Sequence, residues 1–352
     1  MRVRIEDVAA AAGVSMKTVS RVLNGEPGVR QETRARIEAA ASALDYRPDP
    51  AARRLAGRRS YLVGFFYDNP SASYLMELIA GVVEACSGLH YGMLVQPVEF
   101  QSRDLVDTVE AQVAASQLDG VILTPPLTDF APLLRRLQQR GIAYASVTPK
   151  DSASAIGVTL DDEAAVCELM QLLIAQGHRR IAHIKGDRMH GACQRRFRGY
   201  RRALRGAGLD YDPDLVVQGD FSFDAGVRAA RSLLDLARPP TAIFAGNDDM
   251  ATGVLSVAYE RGLRVPAQLS ICGYDDMPAS RQIYPPLTTI HQPVREMGRV
   301  VTAELVRAIR DPAAGRMVPM PYALKLRGSI APPASADRCG AQPAARETVP
   351  RT

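Results

Sequence analysis

From Tyr61 onward the chain repeats one pattern, a short apolar run followed by a segment of 12–16 residues with helical spacing. The runs include YLVGFFYD (Tyr61–Asp68), YGMLVQPV, LDGVILTPP, GIAYASVTP, RIAHIKGD, TAIFAGNDD and LSICGYDD. Tyr74–Cys86, Arg103–Ala115, Glu163–Gln176 and Ala192–Arg205 are the helical kind. Such alternation calls for parallel strands, because only a crossover returns the chain to start the next strand in the same direction. Parallel sheets are covered on both faces, which is why their strands read as continuous apolar runs. About eleven strands in this stretch are too many for one comfortable sheet, so two α/β lobes are expected.

Several of these strands end in small polar clusters: Asp68-Asn69, Thr124, Thr148, Asn247-Asp248-Asp249 and Asp275-Asp276. Open α/β sheets bind ligands beyond the carboxyl ends of their strands. Repeated on two lobes, the clusters describe a cleft for a polar small molecule. Asn and Asp also cap helices, and Asp161-Asp162 before EAAVCELM is the clearest case of that kind.

The first sixty residues have a different texture. Ile5, Val8, Ala9 and Ala12 follow helical spacing, and Gly13 ends that helix. Ser15 is a natural N-cap for a second helix, Met16 to about Leu23, with Val19, Val22 and Leu23 facing inward. Met16, Lys17, Ser20 and Arg21 fall on its outer face. Helix, short glycine-containing turn and second helix make a helix-turn-helix unit, and a third helix, Gln31–Leu44, completes its core. A major groove admits one such helix. Lys17 and Arg21 can donate to guanine or phosphate, and Thr18 and Ser20 can bond the DNA backbone. Pro48 and Pro50 stop the third helix, and Ala51–Ala56 can form one short helix with Leu55 exposed. Six residues do not hold a helix alone. The flanking Arg53, Arg54, Arg58 and Arg59 name DNA as the surface that would hold it.

Charge agrees. Residues 1–60 carry 12 Lys and Arg against 7 Asp and Glu, while the remainder carries 31 of each. The whole excess of +5 sits in the head, as a polyanion-binding module requires. With 47% apolar and 23% charged residues the chain reads as globular. Its longest apolar runs are strand-sized, and no membrane partner is expected. The start MRVRIEDVAAAAG is not a secretory signal. Cys86, Cys167, Cys193, Cys272 and Cys339 are odd in number and lack CxxC spacing. They fit a reducing, cytoplasmic setting and neither a disulfide framework nor zinc. No GxSxG, P-loop, HExxH or GxGxxG occurs, so no catalytic residue, cofactor or metal is expected.

IEDVAAAAGVSMKTVSRVLNG followed by YRPDPAARRLAGRRS resembles the headpiece and hinge of the LacI/GalR family of transcription regulators. The resemblance continues in LIAQGHRRIAHIKG, RRFRGYRRAL, PTAIFAGNDDMATGVL, SICGYDDMPAS and PPLTTIHQP, and so covers about residues 4–328. It implies an all-α helix-turn-helix headpiece (1–47), a hinge helix and linker (48–60), and an α/β body (61–329). The body would be a two-lobed, periplasmic-binding-protein-like domain with parallel sheets that binds an effector and dimerises. Residues 330–352, rich in Pro and Ala, read as a disordered tail. The DNA-binding candidates are Ser15, Met16, Lys17, Thr18, Ser20, Arg21, Asn24, Arg30, Ala52, Arg53 and Leu55. By the resemblance the hinge folds only on operator DNA and Leu55 wedges into a central minor-groove step. The effector-binding candidates are Asn69, Ser73, Tyr74, Thr124, Thr148, Arg196, Phe221, Asn247 and Asp275, for a saccharide-like ligand.

The sequence departs from the family pattern in places. Arg30 replaces the serine that caps the third helix, and Asp49-Pro50 stands where Asn often follows the proline. Ser71 replaces an aromatic, and Thr148 stands where many sugar-responsive members have Asp. The tail has no leucine heptads, so a homodimer on a pseudo-palindromic operator is expected, with Arg295–Ile309 and YLMELIAGVVEAC at its face. A solute-binding protein of a transport system shares the body, and an enzyme with an accessory DNA-binding head is a third possibility. Inducer and corepressor responses fit the residues equally.

Overall fold

The computed structural model describes residues 3–23, 28–46, 59–150 and 156–334. The chain divides into two compact units, Met1–Tyr61 and Leu62–Thr352. Asn24, Ala52, Arg53 and Leu55, most of the expected hinge and the chain beyond 334 lie outside the described residues.

In the first unit, α1 (Ile5–Ala12), α2 (Met16–Leu23) and α3 (Gln31–Ala43) share one core. Val8, Ala9 and Ala12 meet Val19, Val22, Ile37 and Ala41, and Leu44 and Tyr46 pack against the edge. Gly13 takes φ 61 at the end of α1, a left-handed turn that costs a residue with a Cβ about 1–2 kcal/mol. Arg30 stands at the N-cap of α3 and makes no side-chain cap bond.

The second unit has two six-stranded sheets, ordered β11-β5-β4-β3-β1-β2 and β12-β10-β9-β8-β6-β7. The first lobe is built from β1 (Leu62–Tyr67), α4 (Ala72–Leu89), β2 (Gly92–Pro97), α5 (Leu105–Ala115), β3 (Gly120–Leu123), α6 (Ala131–Gln139), β4 (Ala143–Val147) and β5 (Gly157–Leu160). The second follows with α7 (Asp162–Ala175), β6 (Ile181–Lys185), α8 (Gly191–Gly206), β7 (Val216–Gln218) and α9 (Phe223–Leu234). It is completed by β8 (Ala242–Ala245), α10 (Asp248–Glu260), β9 (Ser270–Asp275), α11 (Ala279–Gln282) and β10 (Thr288–His291). The chain then returns to the first lobe with α12 (Val294–Arg310) and β11 (Met317–Met320), and ends in the second with β12 (Ala323–Lys325). It thus passes between the lobes three times. Among the described strands, only β10 and β12 pair antiparallel. That short strand carries no periodic apolar signal, which explains the expected count of about eleven.

Two expectations need correction. Helix α4 is, by length and composition, long and apolar enough to cross a membrane, although the apolar runs read as strand-sized. Gly81 and Ser87 interrupt its apolar pattern in the sequence; in the fold Leu75, Leu78, Val82 and Cys86 are buried. Helix α12, expected at a dimer face, buries Met297, Val301, Leu305 and Val306 within its own lobe, against α4 and the first sheet. Its outward residues are charged, with Arg295 and Arg299 paired to Glu84. Finally, the tail does not leave the body at residue 330. The Ile271 N–H donates to the Ser329 carbonyl at 2.8 Å, and the Ala331 N–H donates to Ser270 Oγ at 3.0 Å. Buried His178 lies 2.9 Å from the Ala331 carbonyl, a backbone tie that proline-rich composition does not reveal.

Candidate functional site

The headpiece presents α2. Ser15 caps it, accepting the Thr18 N–H at 3.2 Å, and its hydroxyl lies 2.9 Å from Thr18 Oγ1. Met16 and Lys17 are exposed, and Thr18, Ser20 and Arg21 are half-buried along the same helix. Arg34 Nη1 donates to the Val22 carbonyl at 3.3 Å, tying the end of α2 to α3. Removing the cap with Ser15→Ala is expected to cost the headpiece about 1 kcal/mol. Thermal melts of the full chain followed by circular dichroism check it, and an unchanged first transition would count against the cap.

In the body, strand ends from both lobes converge on one cleft of about 470 Å³ between atoms, its open mouth included. Asn69 and Tyr74 follow β1, Thr148 follows β4, Arg196 comes from α8, and Phe221, Asn247 and Asp275 complete the second-lobe wall. Thr124 and Ser73, expected here too, do not line it. Thr124 is fully buried, and its hydroxyl bonds the Phe66 carbonyl at 3.4 Å. Ser73 is next to Tyr74 on α4, and consecutive helical residues cannot share a face.

Arg196 organises the cleft. It is 5% exposed, and its guanidinium lies 3.5 Å over the Tyr274 ring. Nε donates to Asp162 Oδ1 at 3.0 Å, Nη1 to the Gly246 carbonyl, and Nη2 stands 3.7 Å from Asp275 Oδ1. Asp162 also accepts Arg195 Nε at 2.9 Å. Burial pushes the Asp162 carboxyl up, but Arg196 and Arg195 outweigh it and hold the group below the usual carboxylate range. Asp275 goes the other way. Burial pushes it up to about 7, against the pull of Arg196 and with the repulsion of Asp249. Gln292 Nε2 donates to its Oδ1 at 2.6 Å.

Asn247 has its side chain committed. Oδ1 caps α10 by accepting the Met250 N–H at 3.0 Å, and Nδ2 donates to the Phe221 carbonyl at 2.9 Å. The Phe221 ring stands 5.3 Å from that of His190, whose pKa burial pulls down to about 4, leaving a neutral imidazole. Thr148, Phe221 and Asp275 have φ of 47, 71 and 109. Left-handed backbone at residues with a Cβ costs on the order of 1–3 kcal/mol each and gathers where a site must hold a shape. The cleft therefore offers a stacking wall, fixed amide and imidazole groups, and carboxylates backed by one guanidinium.

Asp162, His190, Gln292 and Ser71 line the cleft but were not among the sequence candidates. Asp162 carried a readable signal. Of two adjacent aspartates at a helix start only one can cap, and Asp161 does so, accepting the Ala164 N–H at 2.9 Å. The other is left free to face the interior.

The chain matches the bacterial regulatory proteins, lacI family, over residues 4–49, and a periplasmic binding protein-like domain over residues 170–330. It is 32% identical over 333 residues to catabolite control protein A of Priestia megaterium, covering 94% of this chain and 99% of that protein. Among solved structures it resembles the complex of the transcriptional regulator CelR with cellobiose, with a TM-score of 0.70 and 32% identity over 93% of this chain and all of that one. It also resembles the lac repressor dimer bound to operator and the anti-inducer ONPF, with a TM-score of 0.73 and 28% identity over 94% of this chain and all of that one.

Proposed function

The chain belongs to the lacI family of bacterial regulatory proteins, and we infer from this that it is a sequence-specific, DNA-binding transcriptional repressor. A small-molecule effector, a sugar or sugar derivative, sets its hold on operator DNA from the cleft between the lobes. One observation carries this: a single chain joins a capped, basic helix on a small head to a strained, polar, two-lobed cleft. A transport protein has no use for the head, and its relatives are regulators rather than enzymes. A repressor of this kind works in the cytoplasm.

The chain acts as a homodimer on a pseudo-palindromic operator. In the second lobe, Phe223, Tyr259 and Tyr284 are 43%, 86% and 92% exposed around a shared apolar hollow. In the first lobe, Met76 and Val83 stand out from α4. A second copy of the chain covers these surfaces better than water does. On DNA, α2 enters the major groove, where Lys17 and Arg21 reach base edges. Leu55, outside the described residues, wedges into the minor groove.

Selection of the full chain's sites from randomised duplexes tests this. Two inverted half-sites are expected, with Arg21→Ala changing the preferred bases and Leu55→Ala weakening binding about tenfold or more at unchanged effector affinity. A motif without symmetry, or no enrichment, would defeat the proposal. Cellobiose and ribose are the first effectors to add, because they differ in size and neither is charged.

A further inference from the structure

Each lobe closes its own sheet and core, yet side chains also tie the two together directly. Arg195 lies in the first turns of α8. Its Nε stays within its own lobe, on Asp162 Oδ2 at 2.9 Å. Both terminal nitrogens reach the other lobe: Nη1 donates to the Pro149 carbonyl at 3.0 Å and Nη2 to the Thr148 carbonyl at 3.3 Å. These two residues directly follow β4. The same loop touches α8 closely, since a Cβ on Gly191 would lie 2.6 Å from Lys150 Cγ and 3.4 Å from its Cα. Any side chain at 191 would therefore press on the first lobe.

A second tie starts at Ser71. It occupies the N-cap position of α4, where a hydroxyl ordinarily accepts from its own helix, but it makes no such bond. Its Oγ instead donates across the cleft to Asp249 Oδ2 on α10 at 2.6 Å. Asn69 Oδ1 accepts the Ser71 N–H at 2.9 Å and steadies it. Ser71 is 3% exposed and Asp249 is half-buried. Ser71 and Thr148 are also the two first-lobe positions at which the sequence departs from the family pattern. Ser71 meets the other lobe through its hydroxyl, whereas Thr148 does so through a main-chain carbonyl that any residue there would present.

We propose that Arg195 and the Ser71–Asp249 pair form an inter-lobe latch that sets how often the cleft opens. Arg195 is a positioning residue in it. Asp162 holds the guanidinium whether or not the lobes meet, so closing it onto two carbonyls immobilises little that was free. Bonds of this charge-assisted kind shift an equilibrium by about tenfold or more each. An effector moves the lobes only by its difference in affinity for the open and closed arrangements. The latch therefore sets the baseline against which the effector works, a consequence that rests on the effector reading, whereas the latch itself does not.

The test measures the distance between labels on Gln139→Cys in the first lobe and Ser232→Cys in the second. It uses the full chain with Cys339→Ser and an excess of unlabelled protein; both label sites are exposed, and Cys86, Cys167, Cys193 and Cys272 are buried. Arg195→Ala and Ser71→Ala are each expected to raise a longer-distance population about tenfold, and more when combined. Ser71→Thr, which keeps the hydroxyl, should restore the parent distribution. Unchanged distances in folded Ser71→Ala would overturn the latch, as would a Ser71→Thr variant that opens as far as Ser71→Ala. Ser71→Ala removes one oxygen and keeps the test decisive if Arg195→Ala fails to fold. Operator affinity that ignores every sugar while the distances shift as expected would sink the effector reading and leave the latch standing.

Discussion

Alanine at position 162 is expected to cost the body about 3–5 kcal/mol, because it strands a buried guanidinium. Asp162 is 1% exposed and is the carboxylate on which both Arg195 and Arg196 rest. Arg196 is only 5% exposed, at the wall of the cleft, and its remaining polar partners are the Gly246 carbonyl and an Asp275 oxygen 3.7 Å away. The cost comes from the charge left behind and not from the loss of a bond alone. A double variant, Asp162→Ala with Arg196→Met, should therefore recover part of what the single variant loses. Urea unfolding of the full chain measures both. A single-variant loss below about 1 kcal/mol would show that the pair behaves like a surface bridge. The pH dependence has a definite sign. A carboxyl held below its unfolded value contributes fully above about pH 4 and loses that contribution as pH falls through the folded value. Acid should thus remove part of that contribution in the parent.

Most of the architecture was legible because it rests on local patterns. Strand-length apolar runs and helical segments fixed the two α/β lobes, and Gly13 and Ser15 marked the turn and cap that the head uses. In the second-lobe wall, Asn247 and Asp275 were legible as polar strand ends, while Arg196 and Phe221 came from the family resemblance. What escaped depended on contacts distant in sequence. Thr124 closes a strand as its neighbours do, but its hydroxyl is spent on Phe66, 58 residues away. Ser71 reads only as a replacement for the family's aromatic until its partner is found 178 residues on. The course of the chain past 330 is likewise set by Ser270 and His178, which no tail composition can report. Local chemistry tells where a polar side chain starts and not which of two competing partners it takes.

The parent chain should lose stability as pH rises from about 4 to about 7, by about 4 kcal/mol from Asp275 alone. Burial holds this carboxyl protonated in the fold, up to about 7, whereas the unfolded chain gives up the proton near the ordinary value. Over that window the folded state binds more protons, so the slope is negative, opposite to that of Asp162. Above about pH 7 the curve should level. Asp248 and Asp249, raised first by burial, push the same way, so Asp275→Asn should reduce the fall rather than abolish it. An amide keeps an oxygen for Gln292 Nε2 and carries no charge to bury. A parent whose unfolding free energy stays flat across this window would refute the assignment. The same carboxyl links pH to ligand. Hydroxyl donors from a bound sugar favour its charged form, so affinity should improve as pH rises toward 7, by at most tenfold per unit, and binding should release a proton. Calorimetry in two buffers of different ionisation enthalpy reads that proton directly, and Asp275→Asn should silence it. Proton uptake on binding would mean that the ligand meets Asp275 as an acid, accepting from the carboxyl instead of donating to it.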